Sequence, residues 1–138
     1  MLDLIFCVDD DPITLMLCKM VISRSEFAKT IITAQNGEEA LNYFDDLKLN
    51  NLGAAISDYP KLIFLDLNMP VMGGWEFLDH FSKEEYRSSF GDCKVIVLSS
   101  TIDPDDIKKA KTYPMVLDFL SKPISKEMLE DQLLKIAQ

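Results

Sequence analysis

The stretch Lys61–Gly74, KLIFLDLNMPVMGG, decides how the chain is read. Leu62, Ile63, Phe64 and Leu65 form an unbroken apolar run, the pattern of a strand buried on both faces. Asp66 follows at once, and Asn68, Pro70 and the Gly73–Gly74 pair then interrupt regular structure. An acid at the carboxyl end of a buried parallel strand stands where open α/β sheets bind their ligands. An acid in a turn is also a common cap. Taken alone, the stretch leaves Asp66 open to both readings.

Toward the amino terminus, Leu2–Val8 is apolar apart from Asp3 and reads as a first strand. It runs into Asp9, Asp10 and Asp11, then Pro12. Asp11 suits an N-cap with Pro12 at the first helical position. The helix over Pro12–Arg24 carries Ile13, Leu17, Met20 and Val21 at helical spacing. Capping accounts for one acid of the three; Asp9 and Asp10 remain adjacent and repel unless something positive lies between them. Thr30–Ala34, rich in β-branched residues, reads as a second strand. A turn at Asn36–Gly37 leads to a helix over Glu38–Asp46 with Ala40, Leu41 and Phe44 inward, and Leu47–Pro60 reads as an extended loop, with a longer helix end before it as the alternative.

Beyond the opening stretch, Trp75–Phe81 has helical spacing, with Trp75, Leu78 and Phe81 on one side. Ser82–Asp92 is polar and reads as helix end plus loop. His80 is expected to be an exposed helix residue, since a metal site needs more ligands than one imidazole supplies. Lys94–Leu98, KVIVL, is another uniform strand and ends in Ser99, Ser100 and Thr101. Asp103–Pro104 repeats the cap signature of Asp11–Pro12 and starts a helix to about Thr112. Val116–Leu120 is a fifth strand, followed by Ser121, Lys122 and Pro123. Ser125 caps a last helix with Leu129, Leu133 and Ile136 on its buried side. Strand and helix thus alternate five times, which implies a parallel sheet with helices on both faces and right-handed crossovers.

Composition narrows the function. A chain of 138 residues suits one domain, residues 1–138, and such a chain buries roughly 70% of its unfolded surface. The net charge of −9 argues against a phosphate-backbone partner, which calls for clustered Lys and Arg. No apolar run reaches the roughly 18 residues of a membrane span, and no leader opens the chain, so a soluble cytoplasmic protein is expected. Cys7, Cys18 and Cys93 are widely spaced with no CxxC pair, and read as small apolar residues kept reduced.

In a parallel sheet all carboxyl ends share one edge. Asp9 and Asp10 follow the first strand, Asp66 the third, Ser99 the fourth and Lys122 the fifth. Two carboxylates ~4 Å apart cost about 4 kcal/mol at an effective dielectric of 20. A hard divalent cation relieves that crowding, and Mg²⁺ takes one or two carboxylates while reserving positions for phosphate oxygens. Lys122 and Ser99 would then bind two further oxygens of a phosphoryl group.

The combination Asp9–Asp10, Asp66, Ser99 and Lys122–Pro123 resembles the receiver domain of two-component response regulators, over Leu4 to Ala137. That resemblance implies a flavodoxin-like (βα)5 three-layer sandwich with strand order 2-1-3-4-5. It implies Asp66 as phosphoacceptor, Asp9 and Asp10 as the acidic pair holding Mg²⁺, and the Asn68 backbone carbonyl as a further ligand. Ser99 would hydrogen-bond the phosphoryl group, Lys122 would pair with it, and the bond to Pro123 would be cis. Phe119 matches the switch aromatic, without a tyrosine hydroxyl, so the face from Ile102 to Leu120 would be remodelled. Implied partners are a sensor histidine kinase or histidine phosphotransfer protein as donor, and a downstream protein target; a homodimer is compatible. Ser100 stands where a smaller residue is common, which would restrict access to an acyl phosphate. No output domain is expected to follow.

Two rivals share parts of the pattern. A phosphatase of the haloacid dehalogenase type also uses a strand-end Asp, a hydroxyl, a Lys and Mg²⁺. It needs a second acid two residues after the nucleophile, and Asn68, an amide, cannot supply a proton there. A flavodoxin-type cofactor protein needs a hydroxyl- and glycine-rich phosphate loop where this chain has three acids. An inactive receiver serving only as a docking module is a third reading, against which the complete residue set stands.

Overall fold

The computed structural model describes residues 2–136; the side chains of Leu133 and Ile136, expected on the buried side of the last helix, lie outside the described residues, as does Ala137. Its elements are β1 (Leu2–Val8), α1 (Pro12–Arg24), β2 (Ala28–Ala34), α2 (Gly37–Asn50), β3 (Leu62–Asp66), α3 (Gly74–Phe81), α4 (Glu84–Arg87), β4 (Lys94–Ser99), α5 (Pro104–Ala110), β5 (Val116–Ser121) and α6 (Lys126–Ile136). The five strands are parallel in the order β2-β1-β3-β4-β5, the flavodoxin-like arrangement expected.

Alternation along the strands divides the core into two layers. Phe6, Val8, Ile63, Leu65, Val95 and Val97 point to one face, where α2, α3 and α4 cover them. Ile5, Cys7, Leu62, Phe64, Ile96 and Leu98 point to the other, beneath α1 and α6. All five residues of β3 are buried, as its apolar run requires of the sheet's central strand. Phe44 anchors the first layer, with ring centroids 4.7 Å from Phe81, 4.8 Å from Phe90 and 5.8 Å from Phe6. Burying each such ring contributes about 1.5–3 kcal/mol.

The face that α1 buries differs from the expectation. Leu15, Cys18 and Ile22 enter the core and Val21 packs partly against it. Ile13 is 63% exposed, and Leu17 and Met20 are exposed as well. The helix carries two interleaved apolar stripes at helical spacing, so periodicity cannot choose between them. Packing against the sheet chooses: Leu15, Cys18 and Ile22 join the cluster of Ile5, Cys7 and Phe64, while the Asp11 carboxylate caps the helix start by accepting the Ile13 N–H and the Thr14 hydroxyl.

Two further differences have one cause. α2 runs to Asn50 instead of Asp46, and the polar Ser82–Asp92 stretch contains α4. Tyr86 and Phe90, one helical turn apart, are buried among charged neighbours. The Tyr86 hydroxyl donates to Asp45 at 2.7 Å, and Lys48 Nζ donates to the Glu85 carbonyl at 3.0 Å. The last turn of α2 and the short α4 thus hold one another. In α3, Phe77 joins Leu78 and Phe81 in the core, while Trp75 is only partly buried and stacks on Tyr113 with ring centroids 6.0 Å apart. His80 is partly buried, not exposed. α5 stops at Ala110, short of Thr112. At the other edge, Asp118 of β5 accepts from Gln132 at 2.9 Å and pairs with Lys135, tying β5 to α6. Ser125 accepts the Met128 N–H at 3.2 Å, as its capping role predicts.

Candidate functional site

The parallel register carries the strand-end residues to one rim. Val8 of β1 pairs with Leu65 of β3, and Asp66 pairs with Leu98 of β4. Ser99 closes β4 opposite Ser121, and Lys122 follows it. Asp9, one residue past β1, is 4% exposed, Asp66 7% and Ser99 3%, while Asp10 is exposed.

Asp9 is fixed from two sides. Its N–H donates to the Ala34 carbonyl at 3.0 Å, and its Oδ1 accepts the Asp11 N–H at 2.9 Å. Asp11 was read only as a cap; it also orients Asp9 through its backbone. Lys122 Nζ lies 2.6 Å from Asp9 Oδ2 and 3.3 Å from Asp66 Oδ1. Burial opposes the charge on Lys122, yet its hydrogen bond to Asp9 and the charges of Asp66 and Asp9 hold it protonated beyond its ordinary range. Asp66 is pushed up to about 6, by burial first and then by the Asp9 charge, with Lys122 and the Asn68 N–H acting against the shift. The cluster is therefore short of positive charge.

One oxygen each from Asp9, Asp10 and Asp66 falls within 4.8 Å of the others. Three hard oxygen donors at that spacing fit a divalent cation of the Mg²⁺ kind. Asn68 is exposed and lies two residues beyond Asp66, with its N–H turned to the Asp66 carboxylate.

Ser99 is at the rim, but its hydroxyl is engaged elsewhere. It donates to the Thr101 carbonyl at 2.6 Å and accepts the Thr101 N–H at 3.3 Å. Phe119 is partly buried and packs against the same layer as Trp75 and Tyr113. The Lys122–Pro123 peptide bond is cis.

The sequence reading missed why the Gly73–Gly74 pair stands there. α3 begins so close to the end of β3 that Gly74 N–H reaches the Leu67 carbonyl at 3.0 Å. A Cβ at position 74 would lie 2.5 Å from the Asp66 carbonyl oxygen. Between them the Pro70–Met72 segment makes a tight turn, with Met72 N–H on the Pro70 carbonyl at 2.7 Å and Val71 at a φ of 68°. The Met72 carbonyl in turn accepts the Gly37 N–H at 2.8 Å, so α2 and the loop after Asp66 are joined.

Comparison with known proteins agrees with this geometry. The response regulator receiver domain family matches residues 5–134. Over 127 residues the chain is 29% identical to the probable methanogenesis regulatory protein FilR2 of Methanothrix harundinacea, covering 92% of this chain and 76% of that protein. Over 130 residues it is 31% identical to an uncharacterized response regulatory protein of Staphylococcus epidermidis, covering 94% of this chain but 44% of that one. The chain thus spans less than half the length of the staphylococcal relative. A two-component response regulator from Cytophaga hutchinsonii superposes with a TM-score of 0.86 at 28% identity, covering 99% of this chain and 97% of that one.

Proposed function

The chain belongs to the response regulator receiver domain family of two-component signalling, and on that premise we propose that Asp66 is its phosphoacceptor. The observation that supports this most is one buried carboxylate meeting two further acids and a lysine that touches two of the three. In the proposed step an Asp66 carboxylate oxygen attacks the phosphorus of a phosphohistidine. The P–O bond forms as the P–N bond breaks, the electron pair leaves with the imidazole nitrogen, and the ring takes a proton from solvent. Lys122 would pair with a phosphoryl oxygen as it now pairs with carboxylates. Ser99 would exchange the Thr101 carbonyl for another phosphoryl oxygen. Asp9, Asp10 and Asp66, with the Asn68 backbone carbonyl, would hold Mg²⁺, which when bound offsets the negative charge gathered at the rim.

The donor is a sensor histidine kinase or a histidine phosphotransfer protein, and the readout is a protein-binding surface near Ile102–Leu120, to which Phe119 belongs. The chain acts as one receiver unit that promotes its own phosphorylation and dephosphorylation. A homodimer is compatible with this role. The three cysteines, all buried and free, suit the reducing cytoplasm this reading assigns. Phosphotransfer from labelled kinases to wild type and to Asp66→Asn is the test. Labelling of wild type alone is expected; equal labelling of Asp66→Asn would remove the assignment.

A further inference from the structure

From Ser100 to Lys109 the chain crosses the surface without one buried residue, and Ala110 is the only side chain that α5 sinks into the core. An open hollow of about 250 Å³ is lined by Ile107 and Lys111 on one side and by Val116–Phe119 of β5 on the other. A helix of 7 residues is too short to hold itself, and a segment with so little buried surface belongs to the low end of local stability. The position of α5 therefore depends on contacts beyond its own core face.

Those contacts come from α3, which is firmly seated. Phe77, Leu78 and Phe81 are fully buried, and the Gly74 N–H on the Leu67 carbonyl ties the start of the helix to the strand that carries Asp66. Trp75 and Asp79, one helical turn apart, share a side of α3. The Tyr113 hydroxyl donates to Asp79 Oδ1 at 2.5 Å, the length of a bond to a charged acceptor. The Tyr113 ring stacks on Trp75 with the two planes 19° apart. Lys109 Nζ lies 4.6 Å from the centre of the Trp75 ring, within the range of a cation–π contact.

None of the four residues belongs to the acidic rim. Trp75 and Tyr113 are partly buried, and Asp79 and Lys109 are exposed, so the group adds little to the core. What it does is join the loosely held α5 to the firmly held α3. It does so in the arrangement in which the Ser99 hydroxyl bonds to Thr101, the residue from which the chain runs on through Ile102 into α5.

We propose that Trp75 and Asp79 brace α5 through Lys109 and Tyr113, and that this brace opens when the Ile102–Leu120 face rearranges. The proposal deepens the reading of Asp66 as phosphoacceptor and rests on that reading for its switching role. Contacts made in only one of two arrangements lower the population of the other, and a ligand that prefers the other then binds more weakly. The brace thus sets how readily the site switches. Weakening it frees α5 and tightens the binding of a phosphoryl mimic.

Tyr113→Phe keeps the stacked ring and removes only the hydroxyl. With no ligand added, hydrogen exchange at the Ile107, Lys111 and Thr112 amides, each bonded within the segment, should quicken about three- to tenfold, the range of one lost hydrogen bond. The Phe77 amide of α3 should keep its rate. Asp79→Ala should act alike, and the double variant should go no further than either single one. In a second arm beryllofluoride is titrated with magnesium present, and Tyr113→Phe should bind it about three- to tenfold more tightly than wild type. Unchanged exchange in both folded variants, effects that add in the double variant, or faster exchange without tighter beryllofluoride binding each overturn the proposal. If wild type itself fails to bind beryllofluoride, the phosphoacceptor reading falls and takes the switching role with it, whatever the exchange rates are.

Discussion

A methyl group on Gly74 would stand 2.5 Å from the carbonyl oxygen of Asp66. Backbone lies on both sides of that contact, so neither partner can rotate away. Gly74→Ala should destabilise the fold by about 1–3 kcal/mol, as overpacking does in a close-packed interior. Urea denaturation measures it, and an unchanged midpoint would show that α3 can start farther from β3.

Val71 carries the opposite kind of strain. Its φ of 68° is a left-handed conformation that a β-branched residue avoids. The side chain is 75% exposed, so its removal costs little packing. Val71→Gly should stabilise the protein by roughly 0.5–1 kcal/mol, the αL penalty reduced by the added freedom of the unfolded chain. A lower melting temperature in the variant would contradict this.

Acid should loosen the tie between β5 and α6. Burial alone would raise the Asp118 pKa, but Lys135, Gln132 and the Phe119 N–H outweigh it and hold the carboxyl below its usual range. A depressed carboxylate pKa adds stability above the unfolded value of about 3.9, and that stability is lost as pH falls through the folded value. Asp118→Asn should therefore be less stable than wild type near neutrality, by about 0.5–1 kcal/mol for a partly exposed pair. The gap should close below about pH 4. Paired denaturation curves across that range decide it; a gap independent of pH would assign the loss to packing.

Trp75, the only tryptophan in the chain, offers an optical readout of the proposed switch. It stacks on Tyr113 with Lys109 Nζ 4.6 Å from its ring centre, and Phe119 packs into the same layer. Beryllofluoride with magnesium should alter its emission in wild type and leave Asp66→Asn unchanged. Identical spectra with and without the mimic would mean that the Ile102–Leu120 face does not respond.

Much of the architecture could be read from residues because it rests on short-range patterns. Four apolar runs end in polar residues, and each end lies where the parallel sheet puts it. What escaped depended on partners distant in sequence. Ile13, Leu17 and Met20 looked inward because spacing alone cannot phase a helix that is apolar nearly all round. Tyr86 and Phe90 were hidden in a charged window, although their separation of one helical turn was a usable signal. The Ser99 hydroxyl bonds to Thr101 through a freely rotating group, which no sequence pattern specifies. Gly74 was visible as a break, but its reason, a backbone oxygen in the way, is purely three-dimensional.

The contact between Lys122 and Asp9 spans 113 residues of chain. Closing so long a loop carries an entropy cost that only a nearly complete sheet can offset, because β3 and β4 must stand between the two ends. Chains that have formed β1 and β3 but not yet seated β5 hold their acids together without a counter-ion, and so sit at high free energy. The ammonium of Lys122 reaches those acids only once β5 is seated beside β4. If Asp66 takes a phosphoryl group as proposed, labelling would therefore report chains whose β5 edge is in place.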